Sequence, residues 1–418
     1  MNEELLKILE NLKGYDEVSV GKNKIRRLLI KFVNSEVVEV QRLFNENIVI
    51  LVRKGNKYLA TETSTDVDIE RVKTLFNIVA ESSIVPYLSD NDREYKRVVE
   101  SPLKDVIEKG EIDPILNEIY ASDYPASGII NIVETTQSLV TSKGFNGYFV
   151  NYSADGYVRA FNGEYSGQWA FYSHDISPLK EAIKQANILA SIDGKVKIDD
   201  GKYDVVLSPL VVGNLMSDFS YFSSAFNIIT TSSFLYNVKP GDKIASEKVT
   251  ISDVPTKLGT RDFDDEATFT YDKSIIENGV FKTLLYNNEL AKIMNTKTTG
   301  NAGIITPISF GIEVKPGYVS FESLLSGNVI FINNNWYTRY QNYLEGAFST
   351  VCRDSVIVYK DGKPVGNAGR IRISDYLPRL LKNVEEISKE SYTVKWWDAP
   401  LPTIAPYILI KGVNITRA

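Results

Sequence analysis

The sequence predicts an α+β protein in two parts. An N-terminal α/β domain over residues 1–197 has a mainly antiparallel sheet flanked by helices, and a C-terminal domain over 198–418 is mostly β, barrel- or sandwich-like. Three observations carry this. Apolar residues recur at helical spacing in short stretches of the first half. Glycine-containing turn pairs punctuate a β-rich run from Gly128 to His174. Beyond a polar hinge at 193–202, β-branched runs bounded by turn residues dominate.

The first helix is expected from Asn2 to Leu12, with Leu5, Ile8, Leu9 and Leu12 on one face and Gly14 placed to end it. Extended segments follow at 25–32, 37–43 and 47–53, and Val37, Val38 and Val40, interrupted by Glu39, read as half-buried sheet. A second helix opens at Thr65-Asp66-Val67-Asp68, which has capping-box spacing, and carries Ile69, Val72, Phe76 and Val79 on one stripe. Pro86, Pro102, Pro114 and Pro125 divide residues 84–125 into irregular connection with short helical pieces. The meander after Gly128 is expected to turn at Lys143-Gly144, Asn146-Gly147, Asp155-Gly156 and Asn162-Gly163. Ser177-Pro178 starts a third helix with Leu179, Ile183, Ala186 and Leu189 on its buried face. In the second half, strands are expected at 203–207, 248–252, 268–271, 280–286, 308–314, 329–332, 355–359 and 407–410. Only 376–389 reads there as helix.

Lys and Arg number 47 against 53 Asp and Glu, for a formal net charge of -6, which argues against a dedicated nucleic-acid binder. A single cysteine, Cys352, excludes an internal disulfide framework and fits a reducing compartment. The opening Met1-Asn2-Glu3-Glu4-Leu5-Leu6 is acidic and amphipathic, unlike a signal peptide, and no apolar run reaches membrane-spanning length. A soluble cytoplasmic protein is expected.

The lone histidine, His174, rules out a two-histidine zinc site within one chain, and no Gly-x-Ser-x-Gly elbow supports a serine triad. His174 reads as a hydrogen-bonded loop residue, and Cys352 as a small core residue on or beside a strand. Asp262-Phe263-Asp264-Asp265-Glu266 offers oxygen ligands for a hard cation, or else forms a solvated turn. Gly300-Asn301-Ala302-Gly303 is a loop whose backbone can approach a ligand, without the lysine or spacing of a phosphate cradle. Trp396-Trp397 is either a binding platform or the cover of a core edge, one ring on each side of the chain.

An ordered set of words spans Gly201 to Val365. It comprises Gly201-Lys202-Tyr203-Asp204-Val205-Val206-Leu207, Gly241-Asp242-Lys243-Ile244-Ala245-Ser246-Glu247, Phe263-Asp264-Asp265-Glu266 and Ile276-Glu277-Asn278-Gly279-Val280-Phe281-Lys282. It continues through Thr298-Thr299-Gly300-Asn301-Ala302, Lys315-Pro316-Gly317, Gly346-Ala347-Phe348-Ser349 and Asp361-Gly362-Lys363-Pro364-Val365. In this order the words resemble the TldD/PmbA family. The opening helix, residues 48–53 and Ser142-Lys143-Gly144-Phe145-Asn146-Gly147 extend the resemblance to nearly the whole chain.

The resemblance implies a metalloprotease of paired subunits, in which the TldD-type subunit carries His-Glu-x-x-x-His on a helix and the PmbA (TldE) type does not. Here the corresponding stretch is Leu215-Met216-Ser217-Asp218-Phe219-Ser220-Tyr221-Phe222. The histidine positions fall near Ser217 and Phe222 and the glutamate near Asp218, so the chain is similar to the TldE type. Two further departures are Ala347, where the family usually shows an acidic residue, and Ala267, where it usually shows glycine.

A chain resembling the TldE type is expected to have no catalytic residue and no metal ligand of its own. Zinc is then expected in a TldD-type partner subunit of a heterodimer. This chain is expected to bind unfolded peptide by strand addition, through loops carrying Asp264, Asp265, Glu266, Thr299, Gly300, Asn301, Phe348 and Ser349. The alternative is a homodimer that holds peptides without catalysis. A third reading makes the chain a hydrolase with a carboxylate-bound metal at 262–266. No nucleic-acid or membrane partner is expected, and the family's label of DNA gyrase modulator gains nothing from the acidic balance.

Overall fold

A computed structural model describes residues 2–64 and 66–417. Its first part contains α1 (Glu3–Asn11), β1 (Glu17–Val33), β2 (Glu36–Lys54), β3 (Lys57–Thr63), α2 (Ile69–Ile78), β4 (Glu94–Val98), α3 (Leu103–Lys109), α4 (Asp113–Tyr120), β5 (Ala126–Thr141), β6 (Asn146–Asn162), β7 (Tyr165–Ser173) and α5 (Pro178–Ser191). The strands form one seven-stranded sheet ordered β3-β2-β1-β5-β6-β4, with β7 also on β6. All of its pairings are antiparallel except β4 on β6.

Each helix stripe finds its sheet. Leu5, Ile8 and Leu12 of the first stripe join Val18, Val20, Ile48 and Ile50 in one apolar cluster, together with Val72 and Phe76 of α2. Asp68 caps α2, accepting from the Arg71 amide at 3.0 Å; the start expected at Thr65 lies outside the described residues. Lys143-Gly144 and Asn162-Gly163 do turn the chain, but Asn146-Gly147 and Asp155-Gly156 lie inside β6. Glycine is required at 156 for another reason: a Cβ there would stand 2.3 Å from the Ile129 carbonyl oxygen across the β5–β6 pair.

The second part contains β8 (Gly201–Leu207), α6 (Pro209–Phe222), α7 (Ala225–Ile229), β9 (Ile251–Asp253), β10 (Lys273–Glu277), β11 (Val280–Phe281), α8 (Asn288–Ile293), β12 (Ile312–Val314), α9 (Phe321–Leu324), β13 (Val329–Asn342), β14 (Ala347–Lys360), β15 (Lys363–Asn367), β16 (Ile371–Tyr376), α10 (Leu377–Lys382), β17 (Val384–Trp396) and β18 (Ala399–Arg417). The long β18 pairs with both β16 and β8, so β18-β16-β14-β13-β8 closes on itself as a barrel, and β12, β9, β10 and β11 extend from it.

Besides the shorter strands β9, β11 and β12 and the short helices α7, α8 and α9, the structure differs from the sequence pattern in three places here. Residues 268–271 make only an isolated bridge, Phe263 to Phe269. The helix expected over 376–389 stops at Lys382, and from Val384 the chain is β17, paired with β18. Helix α6 escapes the sequence pattern because its residues from Pro209 to Met216 are buried without a break, which hides any 3.6-residue stripe. It packs on β18, β13 and β17. One apolar cluster continues from Leu28 through Trp169 and α5 to Ile415, so both sheets share a core.

Candidate functional site

The acidic loop is not a solvated turn, and no group of three or more His, Cys, Asp or Glu among the described residues is placed to hold a metal ion. Asp262 is 7%, Asp264 0% and Glu266 3% exposed. Burial of that depth requires partners. Asp262 accepts from Tyr95 and from Arg97, each at 2.8 Å. Asp264 accepts from the amides of Glu266 (3.0 Å), Thr268 (2.8 Å) and Ala302 (2.9 Å). Asp265 pairs with Arg261, and Glu266 Oε2 accepts from the Asn288 amide at 2.8 Å. Glu266 Oε1 is buried without a partner.

Burial pushes Asp264 up to about 7 against those three amides, with Asp265 adding repulsion. Burial first, and the Asp264 charge next, drive Glu266 well above the usual carboxylate range. The Thr299-Gly300-Asn301 loop joins this knot. Thr299 Oγ1 accepts from the Tyr286 amide at 2.7 Å. Gly300 has φ +66, and a Cβ there would stand 2.7 Å from the Phe269 carbonyl oxygen, so only glycine fits. The Asn301 amide donates to Asp253 at 2.8 Å and its oxygen accepts from Lys273 at 2.8 Å; Lys273 and Asp253 form a buried pair at 2.9 Å. Neither Asp253 nor Lys273 carries any local sequence signal.

Above the knot lies a groove. A narrow cleft of about 30 Å³ runs between the face of β1 and β2 (Ser19, Gly21, Val49) and Tyr87, Glu266 and Ile304. It continues into a wider groove of about 440 Å³ bounded by Ala60, Thr61, Asp265 and Ile308. Val49, Asp265 and Ile304 line both. Of the eight peptide-binding candidates, Asp265 and Glu266 line these clefts, while Asp264, Thr299, Gly300 and Asn301 are buried beneath them.

Phe348 and Ser349 are elsewhere. Both lie on β14, where Phe348 is buried against Tyr340 and Ser349 Oγ accepts from Arg372 at 2.9 Å. That places them with α6. Ser217 Oγ donates to the Gly213 carbonyl at 3.0 Å, and Phe222 is fully buried against Phe234 and Tyr340. A hydroxyl turned onto its own helix and a buried phenyl ring do not fit a zinc ion. Asp218 is pushed up to about 7 by burial and then by Asp398, opposed by Tyr340 and Arg339. Asp218 Oδ2 and Tyr340 Oη are both buried without a hydrogen bond of ordinary geometry.

The remaining candidates are structural. Both ring nitrogens of His174 face carbonyl oxygens, Tyr152 at 2.7 Å and Leu258 at 2.8 Å. Cys352 is buried on β14. Trp396 is buried and Trp397 exposed, but the two rings are not on opposite sides of the chain: their centres lie 5.5 Å apart and both pack on Trp336.

The molecule is thus an α+β chain of two sheets, one partly closed into a barrel against which helix α6 packs. It belongs to the PmbA/TldA metallopeptidase family, the same TldD/PmbA family that its sequence resembles: the family model of the C-terminal domain matches residues 200–417. A metalloprotease of Methanocaldococcus jannaschii is 33% identical over 133 residues, 30% of either chain. A metalloprotease of Methanothermobacter thermautotrophicus is 27% identical over 202 residues, 46% of this chain and 43% of the relative. The chain therefore spans less than half the length of the curated relatives it matches. Two solved structures share the fold over their length. TldE of Thermococcus kodakarensis has TM-score 0.84 at 18% identity, covering 100% of this chain and 99% of that one. A Thermotoga maritima protein proposed to modulate a DNA gyrase has TM-score 0.83 at 21% identity, covering 100% of both. Among the described residues no helix is long and apolar enough to cross a membrane.

Proposed function

We propose that this chain is the TldE-type subunit of a cytoplasmic metalloprotease complex that degrades or trims unfolded peptides. A TldD-type partner supplies the zinc, its two histidines and the glutamate base. The observation that carries this reading is helix α6, which holds Ser217, Asp218 and Phe222 near the places where the family resemblance puts the motif's histidines and glutamate. The full-length likeness to TldE supports it.

The chain's own share is to wall the chamber and hold peptide extended. The groove over Asp265 and Glu266 suits that role, being a mostly apolar channel with carboxylates at its base, bordered by β3 at the edge of its sheet. Co-expression with a TldD-type chain from the same source tests the assignment. The two are expected to co-elute and to hydrolyse unfolded peptide only together and only with zinc. A partner that neither co-elutes nor changes its activity sinks the reading. Within the complex, Asp265→Arg is expected to weaken peptide binding at least about tenfold, the scale of one lost favourable contact and one new repulsion.

One observation favours the second reading, a homodimeric peptide-binding protein. β3 pairs with β2 only from Ile48 to Lys54, and Val38, Val40, Leu43 and Phe44 are exposed along the rest of β2. An apolar edge of that length is a template for pairing with a second chain. Recovery of a stable dimer of this chain alone from native lysate, with no second polypeptide, selects that reading.

A further inference from the structure

A cavity of about 820 Å³ opens where the two sheets meet, and shares no lining residue with the groove of the acidic loop. β6 and β7 supply Arg159 and Ser166, the hinge supplies Lys195 and Lys197, and the C-terminal sheet and its loops supply Arg353, Arg370 and Arg417. Six cations thus line it against two carboxylates, Glu164 and Asp354, in a chain whose formal net charge is -6. Both carboxylates are already engaged. Asp354 holds Arg159 at 2.6 Å and accepts from Asn334 at 2.8 Å, while Glu164 holds Lys195 at 2.6 Å. Arg417 reaches Asp200 and Asp199 only at 3.7 and 4.0 Å.

Among the described residues Lys197, Arg353 and Arg370 make no ion pair, and the Nε atoms of Arg159 and Arg353 are buried without partners. The Arg353 guanidinium carbon lies over the Trp336 ring, 3.9 Å from its centre. Burial holds Arg353 below its usual value, and Arg159 and Arg370 add to the effect despite Asp354. A cation in that setting is stabilised by an anion from outside the chain.

We propose that this cavity binds a small polyanion, an oxyanion bearing two or more negative charges such as a diphosphate group or a tricarboxylate. The volume lies within the range of small-molecule sites. Guanidinium forks match carboxylate and phosphate oxygens two at a time, and Lys197 and Arg370, exposed at the mouth, add charge without desolvation. Because the walls come from both sheets and the hinge, the bound anion ties the two halves together.

The probes are inorganic pyrophosphate and citrate, titrated calorimetrically into the full chain, with melting followed in parallel. One site is expected for at least one probe, weakening as salt rises, with a Tm increase of about 2 °C or more at saturation. Arg370→Gln and Lys197→Gln, both exposed, are each expected to weaken binding about tenfold, and Arg353→Gln more. Arg353→Lys keeps the charge and is expected to restore only part of the loss, since it lacks the fork. Preference for pyrophosphate assigns the site to phosphates and preference for citrate to carboxylates, and either supports it. No binding of either probe up to about 10 mM, or affinity unchanged in Arg370→Gln and Lys197→Gln, overturns it.

Discussion

The acidic knot and the surroundings of helix α6 are both polar, both buried, and both built from the stretches that define the family, yet they differ in how their polar groups are matched. In the knot Asp253, Asp262 and Asp264 each find two or more donors, Lys273 finds both Asp253 and Asn301, and only Glu266 Oε1 among the described residues of the loop is left buried without a partner. Around α6, Asp218 Oδ2, Tyr340 Oη, Asn335 Oδ1 and the Trp336 Nε1 all lie buried without partners. Matched polar networks hold a structure in place, and unmatched ones store free energy that another group can release. The contrast therefore assigns the acidic words mainly to architecture and leaves the unmatched polar groups concentrated around α6.

The knot is the place to look for the largest losses. Asp253→Ala leaves the Lys273 ammonium, whose side chain is 7% exposed, without its carboxylate. The expected destabilisation is about 3–5 kcal/mol, read from denaturant unfolding. Lys273→Met on the same background is expected to recover most of it, because the uncompensated charge then disappears. A loss below about 1 kcal/mol for Asp253→Ala means that the knot does not hold the fold. Gly300→Ala is expected to cost about 2–3 kcal/mol, combining the left-handed backbone with the 2.7 Å approach to the Phe269 carbonyl.

Much of this contrast is hidden in the sequence, for identifiable reasons. The helical stripes of α1, α2 and α5 are legible because each has one dry face. Helix α6 is not legible from periodicity, since its buried residues run almost without a break; only the family words locate it. The leucines of 377–381 extend in spacing to Val384 and Ile387, yet those two pair with Ile410 and Ile408 across the sheet, so tertiary pairing overrides the helical pattern. The same Asp-Gly or Asn-Gly pair that marks a turn at 162–163 marks close strand packing at 155–156. The acidic cluster reads as solvated because its partners Tyr95, Arg97 and Asn288 are remote along the chain or supply only a backbone amide.

Around α6 the expected effects are smaller and of opposite sign. Asp218 titrates near 3.8 when solvated and at about 7 in the folded chain, so between those values the folded state holds a proton that the unfolded state has lost. Stability from this group is therefore greatest near pH 4 and falls as the pH rises through about 7. Asp218→Asn removes that penalty. The variant is expected to match the parent near pH 4 and to exceed it by about 1–3 kcal/mol near pH 8. Asp264 and Glu266 titrate in both proteins, so the difference between the two curves isolates Asp218. Equal curves at both pH values mean that Asp218 is solvated or partnered, which removes half of the contrast.

The smallest effect sharpens it most. Tyr340→Phe keeps the ring that packs on Phe222 at 4.9 Å and Phe348 at 5.7 Å, and deletes only the hydroxyl. A buried hydroxyl that lacks a partner contributes nothing to hold the fold, so near pH 4 the substitution is expected to change stability by less than about 1 kcal/mol, in the stabilising direction. Near pH 8 the Asp218 charge is present, and a cycle combining Tyr340→Phe with Asp218→Asn reads their coupling directly. Coupling below about 0.5 kcal/mol leaves the two groups unmatched, as the geometry has them. Coupling above about 1.5 kcal/mol, the scale of a hydrogen bond to a charged group, makes them partners and turns the surroundings of α6 into a second satisfied network.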